Sequence, residues 1–463
     1  MKPFVARKRK SDNIPLYIQL YRHIKSEILN GNLHAGEKLP SLRKLADNSG
    51  ISVTTSEQAY NQLLTEGYIT SKPQSGFYVS RIESFVEANE IHEPNIFDLS
   101  EYTFDNSKYL YDLSAFDFQK WKKCTSRVFN EYPQLLLFES DVQGEEALRY
   151  EISRYVYSSR GVLSNPSQVV IGAGTQQLTN HLCHILRRMN IGFICTEDPG
   201  YMPIQKIFQD NGFGISKIPV INDGINVDML PVNIASAVYV SPANQFPTGS
   251  VMSISSRYRL LSWAQKNSSI ILEDDYDSEL RYFGKPIPAL QGLDKNNCVV
   301  YLGSFSSTLF PAIKISYMIL PPKMADIYQS IKANYTQTCS KTEQLSLALF
   351  MEDGYYYTNI RRLRSLYAQK LQIALAAFAK YGKDFIFAKD TRSGINIILN
   401  VKSDKSPETL CSEAESLRLN VAALSKNQNL SEKNRQLIFY YNQIPMNLLD
   451  EMIHKLAVRW TAS

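Results

Sequence analysis

The chain has 463 residues, 44% of them hydrophobic and 21% charged, with a formal net charge of +5 at pH 7. That length can bury a large core and favours two or three domains. No apolar run reaches about eighteen residues and no signal-peptide core follows the basic start, which argues against membrane insertion and secretion and for a cytoplasmic protein.

The six cysteines (Cys124, Cys183, Cys195, Cys298, Cys339, Cys411) form no CxxC pair and sit mostly in apolar surroundings. They read as reduced, buried thiols, with no disulfide framework and no metal site implied. The charge is unevenly placed: residues 1–82 hold twelve Lys/Arg and six Asp/Glu, a net +6 that leaves −1 for the rest. Such an excess marks a nucleic-acid-binding module on a near-neutral body, or a solvated basic tail, since Arg7–Lys10 alone supplies four of the charges.

In chain order, Leu16, Leu20, Ile24 and Ile28 recur at one-turn spacing beside Tyr17 and Tyr21, predicting an amphipathic helix from Pro15 to about Asn30 that stops at Gly31. Ser41 can cap a short helix carrying Leu42, Leu45 and Ala46, which Ser49-Gly50 breaks. Ser52 can cap the next, whose inward face is Ala59, Tyr60 and Leu63 and which ends at Glu66-Gly67. Two short helices about a tight turn make a helix-turn-helix, whose second helix enters the major groove. Its first residues, Ser52, Val53, Thr54, Thr55 and Ser56, would then meet base edges. Residues 68–71, the turn Pro73-Gln74-Ser75-Gly76 and residues 77–80 read as a hairpin wing that brings Lys72 near a phosphate. A helical hairpin kept only for packing is the alternative at this level.

The full string, PLYIQLYRHIKSEI, GEKLPSLRKLA, AYNQLLTEGYI and GFYV, resembles the winged-helix domain of GntR-family transcription regulators. The resemblance implies that residues 11–80 bind a double-stranded DNA operator, with Arg43 reaching the DNA beside Ser41. The family usually has Arg just after the recognition-helix serine; here that position is Val53, so operator preference does not carry over. Residues 81–112 read as an acidic linker, with Glu83, Glu87, Glu90, Glu93 and Asp98 around Pro94.

Beyond the linker, apolar runs suited to buried strands recur at residues 169–172, 193–196, 215–220, 237–240, 270–273, 298–302 and 315–320, with helix-length segments between many of them. The alternation predicts a largely parallel sheet covered on both faces, whose ligands gather at the carboxyl ends of the strands. Polar clusters fall there. Gly174-Thr175-Gln176 opens a helix whose free N–H groups suit a phosphate, and Tyr201 follows the second strand where it could stack on a flat ligand. Asn244 follows the fourth strand, and Asp274-Asp275-Tyr276-Asp277 the fifth. Taken singly, each is an ordinary turn, core edge or helix cap.

The stretch YLGSFSSTLFPAIKISY, residues 301–317, resembles the Schiff-base segment of fold-type I, pyridoxal phosphate (PLP)-dependent aminotransferases. There Ser-Lys-Thr follows an aromatic residue, and a basic residue sits seven positions after the lysine. Phe305, Ser306, Thr308, Pro311 and Lys314 match, but the lysine position is Ser307. Together these clusters resemble MocR-type regulators, which join a GntR winged helix to an α/β fold-type I (aspartate aminotransferase-like) domain, here residues 113–463. The large domain is expected at about 140–325 and the small domain at about 326–463. By that resemblance Gly174, Thr175, Gln176, Ser304, Ser306 and Lys314 would cradle the phosphate. Tyr201 would stack on the ring, Asp274 would pair with the ring nitrogen, Tyr276 would contact the ring hydroxyl, and Asn244 would line the pocket. The family also implies a homodimer.

Aminotransferase chemistry needs a lysine amine both to hold PLP and to move the substrate proton, and a serine hydroxyl does neither at neutral pH. The Arg-x-Gly-(Phe/Tyr) segment that grips a substrate carboxylate is also missing: the corresponding stretch reads Ile438-Phe439-Tyr440-Tyr441, with Arg435 the nearest guanidinium. The expectation is a transcription regulator, not an enzyme, whose second domain dimerises and senses PLP, a PLP–amine adduct or a related phosphorylated effector without covalent attachment. The competing reading is a PLP-dependent aminotransferase with an accessory DNA-binding domain; a third is a regulator with no small-molecule effector.

Overall fold

The computed structural model describes residues 15–81, 108–221, 223–282, 287–389, 394–424 and 434–461. The chain forms two compact units, Met1–Tyr102 and Thr103–Ser463. The basic run Arg7–Lys10 and the acidic residues expected in the linker lie outside the described residues.

In the first unit, helices α1 (Leu16–Leu29), α2 (Leu42–Ser49) and α3 (Val53–Thr65) precede the hairpin of β1 (Ile69–Lys72) and β2 (Gly76–Val79). Most of the predicted inward residues make one core: Leu20, Ile24, Ile28, Leu45, Ala59, Tyr60 and Leu63 are buried and Val79 of the hairpin joins them, while Leu16 at the start of α1 is exposed. Both expected caps form, Ser41 Oγ accepting from the Lys44 amide at 3.3 Å and Ser52 Oγ from the Thr55 amide at 3.1 Å. Between them Gly50 takes φ +63°, a left-handed turn that a side chain would strain. Ser52→Ala is expected to cost about 1 kcal/mol, read as a lower denaturant midpoint for this unit; an unchanged midpoint would contradict the cap.

The second unit carries an eight-stranded sheet. Its strands are β3 (Val169–Gly172), β4 (Phe193–Asp198), β5 (Gly214–Ile221), β6 (Gly224–Ile225), β7 (Ala237–Val240), β8 (Ile270–Asp274), β9 (Val299–Ser304) and β10 (Ser316–Ile319). The order is β3-β10-β9-β8-β7-β4-β5-β6. The run from β9 through β8, β7 and β4 to β5 is parallel, while β10 is antiparallel to both its neighbours. All seven expected strands are present, within two residues at either end.

Alternate residues serve opposite faces, as the pleat requires. Val169, Ile171, Tyr301 and Tyr317 pack with α4 (Phe118–Glu131), α5 (Glu146–Arg160) and α10 (Lys341–Glu352). Val170, Val300, Leu302 and Met318 pack with α6 (Thr175–Arg188) and α9 (Pro322–Ile331) on the other side. Toward the β5 edge, Val238, Val240 and Ile271 are covered by α8 (Ile254–Lys266). Between α6 and α8 in sequence, α7 (Met202–Asp210) follows β4.

A second, four-stranded antiparallel sheet of β11 (Ile386–Lys389), β12 (Asn396–Lys402), β13 (Val421–Ala423) and β14 (Asn434–Tyr440) has its own core. That core takes in Leu280 and the part of the long helix α11 (Tyr355–Gly382) from Leu363 onward, whereas α9 and α10 pack against the large sheet. Helix α10 thus packs with the large sheet although it lies past the expected boundary at about residue 326. The end of the expected linker also belongs to this unit: the Leu110 amide donates to Arg418 O at 2.9 Å, and Asp112 Oδ2 lies 2.6 Å from the buried Lys370 Nζ. A buried ammonium needs a carboxylate partner, which fixes Asp112 inside the fold. All six cysteines are unpaired and five are buried. Among the described residues no helix is long and apolar enough to cross a membrane, and no group of three or more His, Cys, Asp or Glu is placed to hold a metal ion.

Candidate functional site

The strand ends converge on one cavity of about 230 Å³. Thr175, Tyr201, Asp274, Tyr276 and Ser304, named from separate stretches of sequence, all line it, and so does Ser307. Each is placed by a local rule. Gly174 takes φ +93° at the end of the β3 turn, a conformation that favours glycine, and so starts α6 at Thr175. The first-turn amides of that helix have no carbonyl a turn earlier to bond, which leaves donors and the positive dipole end at the cavity. Ser304 ends β9, where Ser316 Oγ donates to its Oγ at 3.0 Å and its Oγ accepts from the Ser306 amide at 3.3 Å. The turn that carries Ser307 is pinned from below: the Leu309 amide bonds Phe305 O at 2.9 Å, and Asn359 donates to Thr308 O at 2.5 Å.

Asp274 ends β8 and accepts a hydrogen bond from the Tyr239 hydroxyl on β7. Burial pushes its carboxyl up to about 7. Behind it Glu197 is pushed up to about 8 by the same cause, and its Oε1 has no hydrogen-bond partner among the described residues. Tyr201 caps α7 and meets Phe246 edge-on at 6.0 Å between ring centres; Phe246 in turn meets Tyr276 edge-on at 6.0 Å. The small lobe closes the cavity with Ile395, Asn396 and Tyr440.

Not every expected residue reaches this space. Gln176 is exposed on the first turn of α6, and Lys314 is exposed in a left-handed conformation (φ +48°); neither lines the cavity. Ser306 faces a neighbouring cavity of about 410 Å³, which it shares with Ser307. Asn244 borders a small space on the far side of Asp277. Arg435, the nearest guanidinium in sequence, is buried on β14 with Nε bonded to Lys405 O at 3.1 Å, so Tyr440 and not an arginine presents the end of that strand. Sequence reasoning assigned no role to Tyr239, Phe246, Asp277 or Asn396. Asp277 was visible in the Asp274–Asp277 run, and its place in the wall follows from a left-handed backbone (φ +54°) that the run does not reveal.

In the first unit Ser41, Arg43, Ser52, Val53, Thr54 and Lys72 are exposed and Thr55 half-buried. Ser56 departs from expectation: its side chain is fully buried beneath the α3 cap, so it cannot meet a base edge. Ser52, Val53 and Thr54 then remain exposed at the start of α3, with Thr55 half-buried. On the wing, Lys72 Nζ lies 4.7 Å from the Tyr78 ring centre.

The buried carboxylates make a stability prediction. Asp274, Asp277 and Glu197 sit at about 7, 6 and 8, above ordinary values near 4, because burial disfavours their charged forms. The folded protein therefore holds protons that the unfolded chain has released; the stability these groups contribute is full below about pH 4 and is lost as pH rises through 6 to 8. Asp274→Asn, in dialysed protein, is expected to melt above wild type at pH 8 and close to it at pH 5. An equal difference at both pH values would contradict this.

A strand-end cavity at the helix N-terminus after β3, with a carboxylate at the end of β8, is the fold-type I aminotransferase architecture. A family model described as "Aminotransferase class I and II" matches residues 102–431, and one described as "Bacterial regulatory proteins, gntR family" matches residues 16–79. Among solved structures, the chain superposes on a kynurenine aminotransferase of Pyrococcus horikoshii with TM-score 0.65 and 19% identity, covering 81% of this chain and 96% of that one. An archaeal alanine:glyoxylate aminotransferase gives TM-score 0.67 at 20% identity, over 78% and 93%. Those likenesses establish the fold. Curated relatives carry both units: YdeL of Bacillus subtilis, an uncharacterized HTH-type transcriptional regulator, is 37% identical over 97% of both chains. MocR of Rhizobium meliloti, described as a probable rhizopine catabolism regulatory protein, is 30% identical over 96% of this chain and 93% of its own. The chain belongs to the MocR-type transcription regulators of the GntR family, and it is a DNA-binding regulator.

Proposed function

We propose that the aminotransferase-like unit is a receptor and not an enzyme: it binds a phosphorylated pyridine of the PLP class non-covalently, and occupancy changes the affinity of the winged helix for its operator. The observation that carries this is Ser307 in the same cavity as Thr175, Tyr201, Asp274, Tyr276 and Ser304. The residues fit the ring and its phosphate. The α6 amides, Thr175 and Ser304 would hold the phosphate, with Gly174, Gln176, Ser306 and the exposed Lys314 at or near that end; Tyr201 would stack on the ring, Asp274 would pair with a ring-nitrogen proton, Tyr276 would meet the ring hydroxyl, and Asn244 would support the wall. A buried carboxylate with no cationic partner is costly, and a protonated ring nitrogen relieves that cost.

PLP supplies an aldehyde and an electron-accepting ring, and turnover with it requires an amine that Ser307 lacks. What this chain's residues supply is shape, charge and orientation. A ligand that contacts both lobes favours one arrangement of them, and differential affinity for two states is what couples a pocket to DNA binding. The regulator acts as a homodimer on paired half-sites spaced near multiples of one DNA turn, about 34–36 Å.

The test is operator affinity at fixed salt, with and without PLP. A several-fold change is expected; no change and no heat of binding would support a regulator without this effector. On the DNA side, Arg43→Ala is expected to weaken operator binding across sequences and to lower the salt slope by about 1, as for one lost phosphate contact. An unchanged slope would remove Arg43 from the interface.

A further inference from the structure

The cavity wall is acidic where the missing lysine would have been basic. Asp277 lines the cavity although it is only 6% exposed, its carboxylate lies within hydrogen-bonding reach of Ser307, and its Oδ1 has no hydrogen-bond partner among the described residues. Its backbone is held in the left-handed region (φ +54°), a conformation seldom adopted by residues other than glycine, asparagine and aspartate. Asp274 is the other ionisable carboxylate of the lining, and no Lys, Arg or His lines the cavity among the described residues. On the far side of Asp277 a small space is bounded by Arg160 and Arg281, and Arg160 is committed to Asp275 with Nε 2.7 Å from Oδ2.

A phosphorylated pyridine places one anion at the α6 end and one ring-nitrogen proton at Asp274. That leaves Asp277 facing the ring substituent next to Ser307. An aldehyde there offers only acceptor lone pairs to a carboxylate, an alcohol offers one neutral donor, and an ammonium offers charged donors that fill the open Oδ1. We propose that the pocket is built for the aminated member of the class: a pyridine phosphate carrying an ammonium group, as pyridoxamine 5'-phosphate does, held by Asp277. This rests on the reading of the cavity as a receptor for a phosphorylated pyridine. It also gives the loss of the lysine a positive role, because a lysine ammonium at that position would occupy Asp277 itself.

The experiment is calorimetric titration of the full-length dialysed protein with pyridoxamine, pyridoxal and pyridoxine 5'-phosphates. Pyridoxamine phosphate is expected to bind about tenfold or more tighter than the alcohol, the effect of one charge-assisted hydrogen bond in a buried site. Asp277→Asn is expected to bring the two within about twofold, by weakening the amine far more than the alcohol. Equal or tighter binding of the alcohol or the aldehyde by wild type would overturn the proposal whether or not the variant folds, as would a preference that survives Asp277→Asn. If none of the three binds, the receptor reading itself fails, which is a distinct outcome.

Discussion

Ser307→Lys is expected to turn a pocket that releases PLP on dialysis into one that keeps it covalently after borohydride reduction. Ser307 lines the same cavity as Thr175, Tyr201, Asp274 and Ser304, so an amine introduced there would reach toward a ring that, on the proposed reading, Thr175, Tyr201 and Asp274 orient. Orientation of this kind replaces a slow bimolecular encounter with a local one. The turn beneath is pinned by Thr308 and Asn359, which lets it carry the longer side chain without unfolding. Asp277 works against the reaction at low pH, because a carboxylate within reach of an amine keeps it protonated and unreactive. Labelling at residue 307 should therefore rise toward one per chain and be faster at higher pH, whereas wild type acquires none in the pocket. Peptide mass mapping reads the outcome. No label at 307 in a folded variant would mean that the ring does not sit where the strand ends place it.

Asp274→Ala is expected to weaken binding of the pyridine phosphates by about a hundredfold or more. Breaking a buried ion pair by removing one partner costs about 3–5 kcal/mol, and each 1.4 kcal/mol is tenfold in affinity. Burial raises the Asp274 carboxyl to about 7, so a free pocket at neutral pH holds it partly protonated, and a cationic ring nitrogen draws the charged form. Wild-type affinity should then improve from pH 6 to pH 8 while the variant's changes less. Affinity for DNA lacking the operator should stay as in wild type, since that binding is carried by the basic first unit. A loss below about fivefold would show that the ring nitrogen pairs elsewhere or that the ligand carries no such nitrogen.

Much of this was legible in the residues. The amphipathic spacing of Leu20, Ile24 and Ile28, the caps at Ser41 and Ser52 and the strand-length runs all specify local structure by short-range rules. So does the convergence of Thr175, Tyr201, Asp274, Tyr276 and Ser304, because strand carboxyl ends in a parallel sheet meet on one edge. Side-chain direction was harder. Ser56 sits one residue past the exposed turn of α3, where the helix has rotated it into the core, and Lys314 and Gln176 turn outward for the same kind of local reason. The small lobe's sheet went unread although Ile397, Leu399 and Val401 alternate along β12 and face the core on one side. That alternation was a usable signal, blurred by Ile398 on the opposite face. Asp277 and Tyr440 reached the pocket through backbone geometry and lobe packing, which no short window of sequence encodes.

The central claim is that a cradle for an anionic ring survives here without its reactive amine. Wild-type protein equilibrated with PLP, reduced with borohydride and dialysed tests it directly. The account predicts saturable binding before reduction, ligand that dialyses away after it, and no labelled lysine in the pocket. A pocket lysine labelled in proportion to occupancy, together with transfer of an amino group to a keto acid, would contradict it.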